Sequence, residues 1–349
     1  MVRTSQRRAS APTPQLGLFQ QPAKGRGGVR AAREHVADAG AKTPPAEASA
    51  HHAAGPPGCG MNPVALHLAS GASLFSGGLL LVLGGLLAWW ARGRWAGRLR
   101  SLLGWLGLVL LLGSTPPWPL WGYALFGAIF LAWVLAEEIG RVQRIVPPHL
   151  PRIAVICLSL LLMAQEVPYL RPPRVPPTQA RHLYIVGDSI SAGITSAYPP
   201  WPTVLAAKYN LPVTNLAVAG ATIAEGVAQA AKVNESNVVV LIELGGNDLL
   251  SGLPSREFAR HLEALLASLQ RPGRILVMME LPLVPLYPGY GRAQRGLAQK
   301  YDVHLIPKRY FTSVLSARGA TDDGLHLSEA GARLMTDTLY PILAPALGG

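Results

Sequence analysis

The sequence predicts an α/β fold of three layers, a parallel five-stranded sheet between two sets of helices, preceded by an α-helical transmembrane region. Two observations carry this. Uncharged apolar runs dominate residues 61–166 of the 349-residue chain, in which half of all residues are hydrophobic and 14% are charged; runs of that length suit membrane-crossing helices. After residue 180, short apolar runs of strand length alternate with helix-like stretches, and such alternation implies parallel strands joined by right-handed crossovers.

Residues 1–60 are rich in Ala, Pro, Gly and Arg, a composition that buries too little apolar area to offset ordering entropy. They read as a disordered basic tail. An alternative is that Met61, where an apolar-leaning stretch starts, is the true start of the protein.

Ala72 to Trp90 is free of charge and about long enough to cross the hydrocarbon core. Ser101 to Ala136 is also uncharged but broken by STPPWP at 114–119, where prolines end one helix and begin another. The fourth run, Ile153 to Ala164, has only twelve residues and is read as a span, with an interfacial piece as the rival. Residues 61–166 thus hold about four transmembrane helices, residues 167–180 form a Pro-rich linker, and residues 181–349 form the catalytic domain. The glycine spacing of the first span is packing chemistry. A cleavable signal peptide would explain the first run but not the three that follow.

Arg92, Arg94, Arg98 and Arg100 lie between the first two spans, and Arg141, Arg144 and Arg152 between the third and fourth. These basic loops are expected on the cytoplasmic side. Four spans then deliver the C-terminal domain to the periplasm or exterior of a bacterial inner membrane; if the fourth run fails to span, the domain is cytoplasmic. Of the net charge of +12, residues 181–349 contribute only +1. The basic excess lies in the tail and beside apolar runs, which disfavours nucleic acid as a partner. Cys59 and Cys157 are the only cysteines, so neither a disulfide framework nor a thiolate site is indicated. The histidines lack ligand spacing, and no metal or other cofactor is expected.

Strands are expected at His182–Val186, Val213–Val218, Val238–Leu244, Ile275–Glu280 and Val303–Ile306, with helices near 201–209, 222–232, 255–269, 291–300 and 329–343. Three strings follow or close this pattern: GDSI at 187–190, GGND at 245–248 and DGLH at 323–326. The first two directly follow strands, and Gly220 follows another, so they converge on the carboxyl edge where open α/β sheets bind ligands. Ser189 is the candidate nucleophile and His326 the base that a serine hydroxyl needs. Asp323, three residues before His326, is placed to fix its tautomer, and Asp322 is the rival. The amides of Ser189 and Gly220 and the side chain of Asn247 are candidate oxyanion donors. Gly220 is expected to matter because a Cβ would obstruct close approach, and Ser328 to cap the last helix. Glu243 and Glu280 read as structural carboxylates. Tyr198, Trp201, Pro282, Pro285 and Pro288 fit pocket lining and simple packing equally.

GDSI, Gly220 within NLAVAGAT, GGND and DGLH, in that order, resemble the SGNH (GDSL-type) hydrolase superfamily across about residues 181–347. The resemblance implies a flavodoxin-like hydrolase fold and a triad of Ser189, Asp323 and His326. It also implies an oxyanion hole of Ser189, Gly220 and Asn247. IELGGNDLLSGLP looks most like the thioesterase, lysophospholipase and arylesterase branch, which implies ester or thioester substrates without a metal. Leu327 stands where that branch usually has proline, and the membrane region lies outside the family pattern. The expected partners are the membrane and an acyl ester, whether lipid, small ester or acylated glycan. Serine esterase chemistry leads; O-acyl transfer or deacetylation on an envelope glycan is the alternative, and a catalytically silent binding module the third reading. The oligomeric state is not legible.

Overall fold

Helices that are apolar all round bury themselves against one another or against lipid, and that governs the first half of the chain. The computed structural model describes residues 62–90, 93–178, 180–282 and 287–348. The tail at 1–60, Met61, Arg92 and Pro285 lie outside the described residues. Helix α1 (Pro63–Ala69) is capped by Asn62, whose side chain accepts from Val64 N at 2.9 Å. Helices α2 (Ala72–Trp90), α3 (Arg94–Gly113), α4 (Leu120–Glu138), the short α5 (Gly140–Gln143) and α6 (His149–Glu166) follow. Of these, α2, α3, α4 and α6 are long and apolar enough to cross a membrane.

Small residues let α2 and α3 approach backbone to backbone. A Cβ on Gly77 would stand 2.5 Å from Leu111 N, and one on Gly107 would stand 2.8 Å from Gly77 O, so larger residues would force the pair apart. Leu81, Leu111, Phe126, Phe130, Trp133, Val155 and Leu162 fill the centre of the bundle. The fourth helix is longer than its uncharged run. It continues back through Arg152, whose Nη2 donates to Glu137 Oε1 at 2.7 Å, while the same oxygen accepts from Trp133 Nε1 at 2.8 Å. A charge paired inside the bundle does not end a helix, and the apolar stretch extends over the 22 residues His149–Leu170.

The second half builds from β1 (Leu183–Gly187), α7 (Ser189–Ala192), α8 (Trp201–Tyr209), β2 (Val213–Asn215), α9 (Ile223–Ala230), β3 (Val239–Glu243) and α10 (Gly246–Leu250). Then come α11 (Ser255–Leu269), β4 (Ile275–Met279), α12 (Pro288–Lys300), β5 (His304–Ile306), α13 (Lys308–Ser316) and α14 (Glu329–Leu343). The five strands form one parallel sheet in the order β2-β1-β3-β4-β5. Every residue of β1 and β3 is buried, because helices cover both faces, and this explains why 183–186 and 239–242 read as unbroken apolar runs. Trp201, Leu205, Phe311, Val314, Met335 and Leu339, from α8, α13 and α14, pack one face. Ile223, Phe258, Leu262, Leu265 and Tyr290, from α9, α11 and α12, pack the other.

Helix α13 was not expected from the sequence. It begins straight after a three-residue strand, and it is held by Phe311, Val314 and Leu315 on one side. Within the Pro-rich segment that precedes the sheet, Val175 is buried in the core and Thr178 Oγ1 donates to Ala346 O at 2.8 Å. The order of strands reverses between β1 and β3, which leaves a crevice at their carboxyl ends.

Candidate active site

Strand β1 ends at Gly187, and Asp188 immediately caps α7, with its Oδ1 accepting from Ile190 N at 3.0 Å. An aspartate at an N-cap ends the strand and starts the helix in one step, so Ser189 stands at the first helical position, half-buried at the sheet edge. Ser189 Oγ lies 3.0 Å from His326 Nε2. His326 Nδ1 lies 2.6 Å from Asp323 Oδ2. A carboxylate can only accept here, which puts the ring proton on Nδ1 and leaves Nε2 to accept from the serine hydroxyl.

The loop that carries His326 is tied at several points. Asp323 Oδ1 accepts from Leu325 N at 3.0 Å and His326 N at 2.8 Å. Partial burial opposes the charge on Asp323, but the hydrogen bonds from the His326 ring and from these two amides outweigh it and hold the carboxyl below its ordinary range. Asp322 faces elsewhere and accepts from the Tyr198 hydroxyl. Ser328 caps α14 by accepting from Gly331 N at 3.1 Å, and its own hydroxyl donates to Gly319 O at 2.5 Å.

Gly220 sits in a turn closed by Ala221 N donating to Val218 O at 3.0 Å, and Val218 N in turn donates to Gly187 O at 3.1 Å. Its φ is +80°, and a Cβ there would meet nothing within 4 Å. No neighbouring protein atom crowds the position; the left-handed backbone is what favours glycine here, and the space a Cβ would take is left open beside the Gly220 amide. Asn247, on α10 directly after β3, donates from Nδ2 to Ala221 O at 3.0 Å and to Asp188 Oδ2 at 3.2 Å. Its amide thus bridges the β1 turn to the Gly220 turn.

Asp188 is a buried carboxyl beside Ser189 that sequence reasoning passed over. It is 4% exposed. Burial pushes its carboxyl up to about 6, against the pull of the Ile190 N–H and the His326 charge, while Asp248 adds to the rise. Its place at an N-cap, next to Ser189, was the available signal. Glu243, wholly buried beside it, is driven well above the usual carboxylate range by desolvation and by Asp188. Ser191 Oγ donates to Glu243 Oε2 at 2.8 Å and accepts from Trp201 Nε1 at 3.1 Å. Trp201 is accordingly a packing residue, and Tyr198, through Asp322 and a 3.2 Å bond to Leu327 O, braces the histidine loop. Glu280 accepts from Arg295 Nε at 2.6 Å and Lys308 N at 3.0 Å, away from the serine.

Residues 185–334 match the profile of the GDSL-like Lipase/Acylhydrolase family. Over 205 residues the chain is 27% identical to Esterase TesA of Pseudomonas aeruginosa, spanning 55% of this chain and 96% of that protein. It is 28% identical over 173 residues to Thioesterase 1/protease 1/lysophospholipase L1 of Escherichia coli K12, covering 47% of this chain and 83% of the relative. An Arylesterase of Vibrio mimicus is 29% identical over 160 residues, covering 41% and 78%. The crystal structure of TesA aligns with 28% identity and a TM-score of 0.42 over 48% of this chain and 99% of that one.

Proposed function

The C-terminal half of this chain is a GDSL-like lipase/acylhydrolase domain, and from that premise we propose a membrane-anchored serine esterase that works through an acyl-enzyme. The observation that carries the reading is the chain of contacts from Ser189 Oγ to His326 Nε2 at 3.0 Å and from His326 Nδ1 to Asp323 Oδ2 at 2.6 Å. Ser189 Oγ attacks the ester carbonyl as His326 Nε2 takes its proton, and Asp323 stabilises the imidazolium that forms. The oxyanion is received by the Ser189 and Gly220 amides and by Asn247, one such donor being worth about 2.7 to 4 kcal/mol in the transition state. Of the two Asn247 hydrogen bonds, the longer one to Asp188 at 3.2 Å is the one the oxyanion draws away. Collapse expels the alcohol or thiol, protonated by His326. Water, deprotonated by the same nitrogen, then releases the acid and restores Ser189.

Anchoring by α2, α3, α4 and α6 is supported by the lipid-like face they turn outward. Leu79, Leu83, Leu106, Val109, Leu125, Leu131 and Leu160 are exposed along them. Exposed Trp89, Trp90 and Trp95 mark one end, and Trp121 marks the other, in the manner of interfacial aromatic belts. Arg94, Arg98, Arg141 and Arg144 gather at the first end, which we assign to the cytoplasm. The catalytic domain follows the opposite end and faces the periplasm or exterior.

Replacement of Ser189 or His326 by alanine in the full chain is expected to abolish turnover of a chromogenic short-chain ester with the circular dichroism of the protein unchanged. Undiminished turnover in either folded variant refutes the mechanism.

A further inference from the structure

The described part of the membrane bundle and the catalytic domain belong to one compact unit, and a buried ionic junction fixes how they meet. Arg295 Nη1 and Nη2 grip the two Glu166 oxygens at 2.7 and 2.8 Å, and its Nε donates to Glu280 Oε1 at 2.6 Å. The guanidinium also lies 3.6 Å from the centre of the Tyr169 ring. Around this centre, Lys308 Nζ donates to Ser114 O at 3.2 Å, Arg292 Nη1 to Trp118 O at 2.6 Å, and Arg309 Nη1 to Leu170 O at 3.1 Å. The side chains of Arg295, Glu166 and Glu280 are 9%, 11% and 2% exposed. Bidentate, dry pairs of this kind fix orientation as well as contact.

Direction follows from where these residues sit. Glu280 directly follows β4, Lys308 and Arg309 open α13 one residue after β5, and Arg292 and Arg295 lie in the first two-thirds of α12. All belong to the carboxyl edge of the sheet. Their partners sit at one end of the bundle, in the α3–α4 turn and at the close of α6. The carboxyl edge, the same edge that carries Ser189 after β1 and Asn247 after β3, is therefore turned toward the end of the bundle. From β4 to β1 is two strand intervals, roughly 10 Å along the edge.

That edge also carries most of the exposed large hydrophobic side chains of the domain, beside exposed charges such as Glu225, Asp322 and Asp323. Among the described residues of 181–348, the exposed large hydrophobic side chains are Ile194, Val218, Leu250, Tyr287 and Leu334. Ile194, Val218 and Leu250 lie within five residues of Ser189, Gly220 and Asn247 respectively. Tyr287 is the N-cap residue of α12, about 7 Å along the helix axis from Arg292, whose guanidinium reaches Trp118 O of the bundle. Lys232, Glu235 and Arg271, at the opposite edge, are exposed and charged.

We propose that Ile194, Val218, Leu250 and Tyr287 form a rim that seats in the headgroup region of the bilayer holding α2–α6, so that the catalytic serine opens onto the membrane surface. The occupant is this chain's own bilayer, because the ionic junction turns the carboxyl edge toward the end of the bundle that carries exposed Trp121. Apolar side chains beside polar surroundings favour insertion of about 5–10 Å into the headgroup boundary. The proposal rests on the spanning reading given above.

The test uses the full chain in phosphatidylcholine–phosphatidylglycerol vesicles, with Cys59 and Cys157 changed to serine and one cysteine carrying an environment-sensitive fluorophore. Positions are Leu250→Cys and, in parallel, Ile194→Cys for the rim, Lys232→Cys for the opposite edge and Leu83→Cys for the span. Spin-labelled lipid is expected to remove about half or more of the emission at Leu250 or Ile194 and at Leu83, and to leave Lys232 unchanged. Quenching at Leu83 with none at either rim position overturns the proposal alone. Equal quenching at the rim and at Lys232 also overturns it, since the edge then has no preference. No quenching at Leu83 overturns the spanning reading, and this inference with it.

Discussion

Replacing Asp188 by asparagine separates two roles of one buried carboxyl. Burial raises it from 3.8 to about 6, so the folded chain holds its proton more tightly than the unfolded chain. The stability this group contributes is therefore complete below pH 3.8 and is lost as pH rises through about 6. Between pH 4 and pH 7.5 the loss amounts to about 2.5 kcal/mol. Asparagine keeps an oxygen for Ile190 N but turns an NH2 toward Asn247 Nδ2, which now donates to Asp188 at 3.2 Å. That mismatch costs about 1–3 kcal/mol at every pH. The stability of Asp188→Asn relative to the parent should thus rise by about 2.5 kcal/mol from pH 4 to pH 7.5, whatever its absolute value. Urea unfolding in detergent, followed by circular dichroism at the two pH values, reads the difference. If Asn247 serves the oxyanion, kcat should also fall by about 10- to 100-fold with KM nearly unchanged. A relative stability that is flat or falls with pH would refute the buried-carboxyl argument.

Asp323→Ala should lower kcat by about 10³- to 10⁴-fold, whereas Asp322→Ala, which loses only the Tyr198 contact, should cost less than about ten-fold; steady-state kinetics on a soluble ester distinguish them. Because Asp323 is held below its ordinary range, the stability it contributes is present at neutral pH and is lost as pH falls through that lowered value, so Asp323→Ala should flatten the acid limb of the unfolding profile. Gly220→Ala should destabilise by about 1–2 kcal/mol through its φ of +80°, seen as a lower thermal midpoint together with reduced kcat. Glu137→Ala strands Arg152, which is 8% exposed, and should cost about 3–5 kcal/mol of bundle stability, measured by denaturant titration in detergent.

Much of the fold was legible because both halves use simple periods. The strands β1 and β3 are buried on both faces, so 183–186 and 239–242 announce themselves as apolar runs, and α8, α11 and α14 begin and end where the sequence places them. The fourth apolar helix was underestimated because Arg152 interrupts the uncharged run, and only its pairing with Glu137 lets the helix continue. Helix α13 was missed because a three-residue strand leaves little signal for where the next element starts.

The sequence by itself determined the order of the strings at Ser189, Gly220, Asn247 and His326 and the attachment of the first three to successive strand ends, since local periodicity and turn residues fix those. Tertiary structure decided what depends on residues distant in the chain. It set Asp323 rather than Asp322 against the imidazole, joined Asp188 to Asn247 across two strands, and turned the left-handed Gly220 into a backbone requirement. It also locked Arg295 onto Glu166, 129 residues away, because a buried charge must find its partner wherever the fold brings one.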